Sequence, residues 1–149
     1  MIVAEGLVGP NGLVETVDGE TLYVGTCPVS GSDYKARIYQ VQRTGPDSWA
    51  DPVVVLESPS WGCIDGITVD ACGRVYYADF GRSDLWSLNL EKGERELAAT
   101  LPGYWVPNLR WGPNVGGWSS TVIYATERDS GDFLAIETNL PGKPHVHKQ

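Results

Sequence analysis

The stretch "GPNGLVETVDGETLYVG", residues Gly9 to Gly25, carries the pattern that decides the fold. Asn11 stands between a Pro and a Gly and is followed by an apolar run, an Asp-Gly pair at Asp18, and a second run centred on Tyr23. Gly after Asp adopts positive φ at little cost, which favours a tight hairpin. The stretch therefore predicts two antiparallel strands with a polar residue at the head of the first.

The pattern occurs twice more along the chain. "CIDGITVDACGRVYYADF" has Asp65 near its head, and "VPNLRWGPNVGGWSSTVIYATE" has Asn108, at spacings of 54 and 43 residues from one head to the next. Each segment continues into a third alternating run, "ARIYQVQ", "LWSLNL" or "FLAIET", and the first two add a fourth, "PVVVLE" and "ERELAATL". Four short strands per unit at this spacing are typical of β-propeller blades. A sandwich of irregular hairpins is the alternative, but the shared position of the head residue favours the propeller.

The sequence thus predicts an all-β chain of three β-propeller blades, each a four-stranded antiparallel sheet. The blades cover approximately residues 8–57, 61–102 and 105–149, within one domain. The third has three clear strands and a doubtful fourth, "PHVHK", whose His145 and His147 we interpret as solvated histidines. Asp18 and Asp70 are interpreted as turn formers because each precedes a Gly-bearing turn.

Three blades do not close a ring, because propellers typically need four to eight. Two copies related by a two-fold axis would supply six, and burial of their apolar flanks at about 25 cal/mol per Å² would favour the association. Residues Ile2 to Leu7 are predicted to form a strand that completes a neighbouring or partner blade by adding to its open edge. A frayed terminus is the alternative. The expected partner is therefore a second copy, in a homodimer.

Composition narrows the classes of partner. The net charge of −8 and the pI of about 4.6 argue against nucleic acid, and no apolar run is long enough for a membrane span. No signal peptide is visible, so we expect a cytoplasmic protein. A Cys63–Cys72 bridge is conceivable around the predicted turn, but three free thiols, Cys27 included, are the favoured interpretation in a reducing compartment.

"GLVGPNGLVETVDGETLYVG", followed by "IDGITVDACGRVYYADFGRSDLWSLN" and "PNLRWGPNVGGWSSTVIYATERDSGDF", resembles the second half of the senescence marker protein/gluconolactonase family. Members of this family are regucalcin-like six-bladed propellers. The resemblance covers nearly the whole chain. It implies a divalent cation, usually calcium, in the central channel, where it supports hydrolysis of lactones or related esters. The implied ligand is a small lactone or sugar acid.

The resemblance also implies roles for individual residues. The Asn of the P-N-G motif is a metal ligand, which corresponds to Asn11, and the Asp of the following D-G motif is a ligand and general base, which corresponds to Asp65. Asn108 matches a channel-mouth residue less securely. The family's third protein ligand, a Glu, comes from a first blade that this sequence does not contain, and Glu5 does not match it. One copy therefore does not assemble the whole family site.

The residues by themselves leave alternatives open. Asn and Asp side-chain oxygens suit calcium, which takes six to eight oxygen ligands. One chain offers only two amide oxygens and one carboxylate from the three candidate residues. Asn11 and Asp65 would also fit plain turn positions. Trp61 and Trp105, near the heads, would stack on a sugar or lactone ring, but packing between blades explains them more simply. A hydrolase competes with a non-catalytic binding or structural propeller fragment, and with a split propeller that needs a second, different chain.

Overall fold

A computed structural model describes residues 2–28 and 35–144, with the side chains of residues 60 and 61 left out. These segments form strands and turns, and within them no helix is long and apolar enough to span a membrane. The strands, in chain order, are β1 (Pro10–Glu15), β2 (Thr21–Thr26), β3 (Lys35–Gly45), β4 (Ser48–Trp49), β5 (Val53–Trp61), β6 (Ile64–Val69), β7 (Val75–Asp79), β8 (Asp84–Asn89), β9 (Glu94–Thr100), β10 (Asn108–Trp111), β11 (Val122–Thr126) and β12 (Phe133–Glu137).

The strands form three antiparallel sheets in the order that the repeats predict. The first sheet has the order β1-β2-β3, with β4 and β5 both paired to β3. The second is β6-β7-β8-β9 and the third is β10-β11-β12. Each sheet begins with the strand that carries Asn11, Asp65 or Asn108 near its start. The predicted all-β architecture of three antiparallel blades is confirmed.

Two details differ from the expected strands. Residues 2–7 lie in no strand, so their pairing with another chain stays a prediction. β4 is a short addition that extends the β3 hairpin and was not predicted. The doubtful fourth strand of the third blade, with His145 and His147, lies mostly outside the described residues.

The core lies in two layers, one on each side of the second sheet. Successive side chains of a strand point to opposite faces, so Tyr77 packs toward the first sheet and Tyr76 toward the third. The layer between the first and second sheets contains Tyr23, Ile38, Ile64, Val75 and Leu88. The layer between the second and third contains Leu85, Val106, Leu109, Trp111 and Ile123. Stacking of neighbouring sheets through both faces is how propeller blades bury their apolar residues.

The expectation about the cysteines was wrong. Cys27 and Cys63 form a disulfide, with their Cα atoms 4.1 Å apart, and Cys72 is an exposed free thiol. The partners are 36 residues apart in sequence. They meet because Cys27 directly follows β2 of the first sheet and Cys63 directly precedes β6 of the second, and these two sheets stack.

Candidate functional site

Asn11 and Asp65 occupy the same backbone feature in the first and second sheets. Pro10 pairs with Thr26 and Leu13 pairs with Val24. Between these two pairs β1 covers three residues and β2 only two, so β1 has one extra residue. In the same way, Ile64 pairs with Asp79 and Ile67 pairs with Tyr77, so β6 has one extra residue relative to β7. Each extra residue makes a β-bulge, which redirects side chains at the end of a ladder. The repeat seen in the sequence therefore extends to the local backbone.

The glycine after each of these residues brings neighbouring first strands close together. A Cβ at Gly12 would collide with the backbone carbonyl of Asp65. A Cβ at Gly66 would lie 3.1 Å from the Cα of Asn108. Glycine permits this approach because it has no side chain. The packing places Asn11 next to Asp65, and Asp65 next to Asn108, in one row across the three sheets.

The Asp65 carboxyl group has a shifted pKa. Partial burial raises its pKa, because desolvation disfavours the charged form. The Asn11 side-chain amide lies within hydrogen-bonding reach of the carboxylate and opposes that rise. Asn11 itself is exposed. The first two predicted ligands are thus brought together by the fold.

Asn108 is placed differently. It pairs with Thr126, and Leu109 pairs with Ala125, so β10 continues in register without a bulge at its head. The Asn108 side chain is exposed and lines an open cavity. The third head therefore lies in the same row but lacks the local backbone of the other two.

The donor set fits a hard cation in part. The carboxylate of Asp65 and the amide oxygen of Asn11, once its amide is rotated to present it, are ligands that calcium accepts. Within residues 2–28 and 35–144, no three His, Cys, Asp or Glu side chains are grouped closely enough to hold a metal ion. Amide, backbone and water oxygens, or donors from another chain, would have to complete the coordination.

A cavity of about 640 Å³ extends along the first strands of the sheets, past their heads. Its lining includes Leu13 and Glu15 of β1, Thr68 of β6 and Arg110 of β10. Asn11 and Asp65 do not line this cavity; they precede, on the same strands, the residues that do. Arg110 was not among the predicted site residues. Alternation along β10 puts it on the same face of the sheet as Asn108, which is the signal that could have identified it.

Lys143 also lines this cavity, a position that no motif in the sequence predicts. Its ammonium contacts Glu15 Oε1 at 2.9 Å and also donates to the Glu15 backbone carbonyl. Its backbone N–H donates to the carbonyl of Val69 at 3.1 Å. The segment after the third sheet is thereby fastened to the ends of β1 and β6. A contact between residues 15 and 143 has no signature in local sequence.

The predicted aromatic residues are placed as follows. Trp105 lies in the loop before β10, where its ring is 4.5 Å from that of Phe80 and the Arg128 guanidinium lies over it. The Trp61 side chain lies outside the described part of the chain. Contact of either residue with a substrate stays a prediction.

A separate group of aromatic residues covers the outward face of the third sheet. Trp118 packs edge-on against Tyr124, and Tyr124 stacks on Phe133 with ring centroids 5.8 Å apart. Trp118 is 44% exposed and Phe133 59% exposed. We call these three residues the aromatic flank. It lies opposite the face that packs on the second sheet.

No protein-family model and no curated protein matches this chain. Solved structures do match. A gluconolactonase from Xanthomonas campestris matches with 20% identity and a TM-score of 0.69 over 93% of this chain and 40% of its own. The calcium-binding protein regucalcin from Agrobacterium tumefaciens matches with 19% identity and a TM-score of 0.65 over 92% of this chain and 48% of its own.

A structure of a nidogen/laminin complex matches less closely, with 18% identity and a TM-score of 0.56 over 92% of this chain and 52% of the matched one. The chain thus spans about half the length of the solved chains it matches. At these identities the likeness concerns the fold alone. This chain has the fold of about half of a gluconolactonase- or regucalcin-type propeller.

Proposed function

We propose that this chain is a half-propeller hydrolase of lactones or related esters that depends on a divalent cation, most simply calcium, and works as a homodimer. The observation that carries the proposal is the Asn11–Asp65 pair. The two side chains lie together on equivalent bulges of neighbouring first strands, at the positions where the resemblance implies metal ligands.

In this proposal Asp65 and Asn11 hold the cation through side-chain oxygens, and Asn108 adds a further amide in the same row. A bound divalent cation supplies Lewis-acid polarisation of a substrate carbonyl. Calcium takes six to eight oxygen ligands, so a second copy that presents the same three residues would double the side-chain donors. The charge of two carboxylates would balance one divalent ion.

Asp65 is also the candidate general base. A carboxylate that binds the cation also lies within reach of a water held there, as general-base catalysis requires. It would take a proton from the attacking water and return it to the leaving oxygen. The cavity that begins beside Asn108 and continues past Arg110 offers polar side chains for a hydroxylated ring. A lactone of sugar-acid type suits that lining.

The homodimer is supported by surfaces that the described chain leaves open. The third sheet has three strands and the aromatic flank on its outward face. The first sheet exposes Leu13 and Val54. Apolar faces at both ends of a three-blade stack are what a second copy would cover, and six blades would match the size of the solved propellers.

The direct test compares Asp65→Ala with Asp47→Ala, which removes an exposed carboxylate in the β3–β4 turn. Calcium binding is measured by isothermal titration, and hydrolysis of an aldonolactone and of an aryl ester by pH-stat and absorbance. We expect Asp65→Ala to lose binding and turnover together, and Asp47→Ala to keep both. Turnover that survives EDTA or Asp65→Ala would overturn the proposal.

A non-catalytic binding propeller is the second candidate. It is supported by the likeness to a nidogen/laminin complex and by the small number of metal ligands grouped among residues 2–28 and 35–144. It predicts thermal stabilisation by calcium or by an aldonate without turnover. A split propeller predicts instead that turnover appears only when a different chain with the missing blades is added.

A further inference from the structure

The Cys27–Cys63 disulfide joins the residue after β2, which is the strand paired with β1 beside Asn11, to the segment that leads into Asp65. Cys63 precedes Asp65 by two residues. The Cys27 N–H donates to the carbonyl of Gly9 at 2.7 Å, and Gly9 precedes Asn11 by two residues. The bridge therefore lies two residues from Asp65 along the chain, and it reaches the segment before Asn11 through the Cys27–Gly9 hydrogen bond.

Each half of the bridge is attached to its own sheet. Cys27 directly follows Thr26, which pairs with Pro10 next to Asn11. The Cys63 carbonyl accepts a hydrogen bond of 2.8 Å from the N–H of Phe80, just beyond the end of β7. The covalent link thus connects the head of the first sheet to the head of the second, where hydrogen-bonded ladders do not run between sheets.

We propose that the Cys27–Cys63 disulfide is a positioning bridge that holds Asn11 against Asp65, and that its reduction weakens cation binding at this pair. The inference rests on the proposed function and names the way in which that site would be regulated. Gly12 packs on the Asp65 carbonyl, but that contact is non-covalent and can open; the bridge limits how far the two heads separate.

The redox step is ordinary thiol–disulfide exchange with a dithiol. A thiolate of the reductant attacks the Cys27 sulfur, which is the more accessible of the two because Cys63 is 2% exposed and Cys27 is half-buried. The Sγ–Sγ bond breaks, two electrons and two protons pass to the protein, and two thiols form. The dithiol leaves as its own cyclic disulfide.

The expected size of the effect follows from what supporting residues contribute at metal sites. Loss of a group that orients a ligand typically lowers metal affinity about 10- to 100-fold. We expect a change of that order in the calcium dissociation constant on reduction, with the protein still folded, because both core layers remain in place.

The experiment uses the Cys72→Ser variant as background, since Cys72 is exposed and outside the bridge. Calcium affinity is measured by titration calorimetry on the oxidised protein, after dithiothreitol, and after reoxidation, and is repeated with Cys27→Ser added. We expect calcium binding to weaken on reduction and to recover on reoxidation. In Cys27→Ser we expect weak calcium binding that does not change when reductant is added. Equal affinity in both redox states would overturn the inference.

Hydrogen exchange of residues 9–14 and 63–69 in the oxidised and reduced forms separates this inference from the proposed function. If neither form binds calcium, the proposed function fails, and faster exchange in both segments on reduction still supports the positioning role. Unchanged exchange in both segments contradicts it. Global unfolding on reduction, seen by near-UV circular dichroism, also contradicts it, because the bridge would then stabilise the whole fold rather than position the two side chains.

Discussion

Glu127 is a buried carboxylate with a structural task. It follows β11 and accepts hydrogen bonds from the backbone N–H of Trp105 at 3.2 Å, from the N–H of Ser130 at 2.7 Å and from the Ser130 hydroxyl at 2.6 Å. These donors, the Ser130 hydroxyl foremost, favour the ionised form and lower the pKa of Glu127 to about 2. One carboxylate therefore joins the loop before β10 to the turn between β11 and β12, which lie at the same end of the third sheet.

Glu127→Gln is expected to destabilise the protein in a pH-dependent way. A depressed pKa contributes stability above the ordinary value of 4.5, and this contribution is lost as pH falls toward about 2. Urea unfolding at pH 7 and at a series of lower pH values should show a deficit at pH 7 that narrows below pH 4.5. The exposed Glu137→Gln on β12 is the control. A deficit of constant size at every pH would contradict the assignment.

The contact between the Asn11 and Asp65 side chains also depends on individual residues. Neither residue type nor spacing required the two side chains to meet. They meet because Gly12 removes the atoms that would separate β1 from β6. The functional hypothesis made from the P-N-G and D-G motifs is therefore consistent with the geometry, while catalysis and metal binding stay predictions.

At the scale of elements, the first strands of the three sheets act as one unit whose spacing depends on glycine. Gly12 has no room for a Cβ against the Asp65 carbonyl and the Ile67 side chain. Gly66 is less crowded, with its closest neighbours at 3.0–3.1 Å in the backbone of Leu109 and Asn108. Strand spacing at the heads is therefore tightest where the two candidate ligands lie.

Gly12→Ala is expected to lower the free energy of unfolding by about 1–3 kcal/mol or more, because backbone must move to admit the methyl group. Gly45→Ala is the matched control in β3, since there a Cβ would meet only the hydroxyl of Ser48, which can rotate away. Urea unfolding of both variants measures the difference. Equal stability of the two would show that β1 and β6 are free to separate.

At the scale of the whole molecule, the described chain is a stack of three sheets with apolar residues exposed at both ends. The inner layers are closed, with Leu85, Leu88 and Ile123 fully buried. The aromatic flank is left on the third sheet with no sheet beyond it among the described residues. Exposed patches of this kind mark interaction surfaces.

If the proposed homodimer forms through the aromatic flank, Phe133→Asp is expected to convert it into a monomer, because the variant would place a charge in the apolar interface between the two copies. Light scattering on a sizing column should give a mass near twice 16.2 kDa for the wild type and near 16.2 kDa for the variant. Leu97→Asp on β9 is the control and should remain dimeric; the Leu97 side chain is 51% exposed and that of Phe133 is 59% exposed. A monomeric wild type would contradict the homodimer.

The sequence was a good guide to the strands and a poorer guide to contacts between them. Alternation and turn residues predicted the hairpin around Asp18 and the strand centred on Tyr23, both of which are present. Period-2 alternation and turn chemistry are local properties, so they can be read directly. Residues 2–7 form no strand within the chain. An edge strand forms only beside another strand with free backbone groups, and local sequence does not specify that neighbour.

By itself, then, the sequence determined an all-β chain of three repeated units, each with Asn11, Asp65 or Asn108 near its start. Only the tertiary structure decided that Cys27 pairs with Cys63, that Lys143 reaches Glu15, and that Asn11 lies against Asp65. The physical reason is common to all three. Each contact joins residues far apart in the chain, and stacking of separate sheets, rather than any local preference, brings them together.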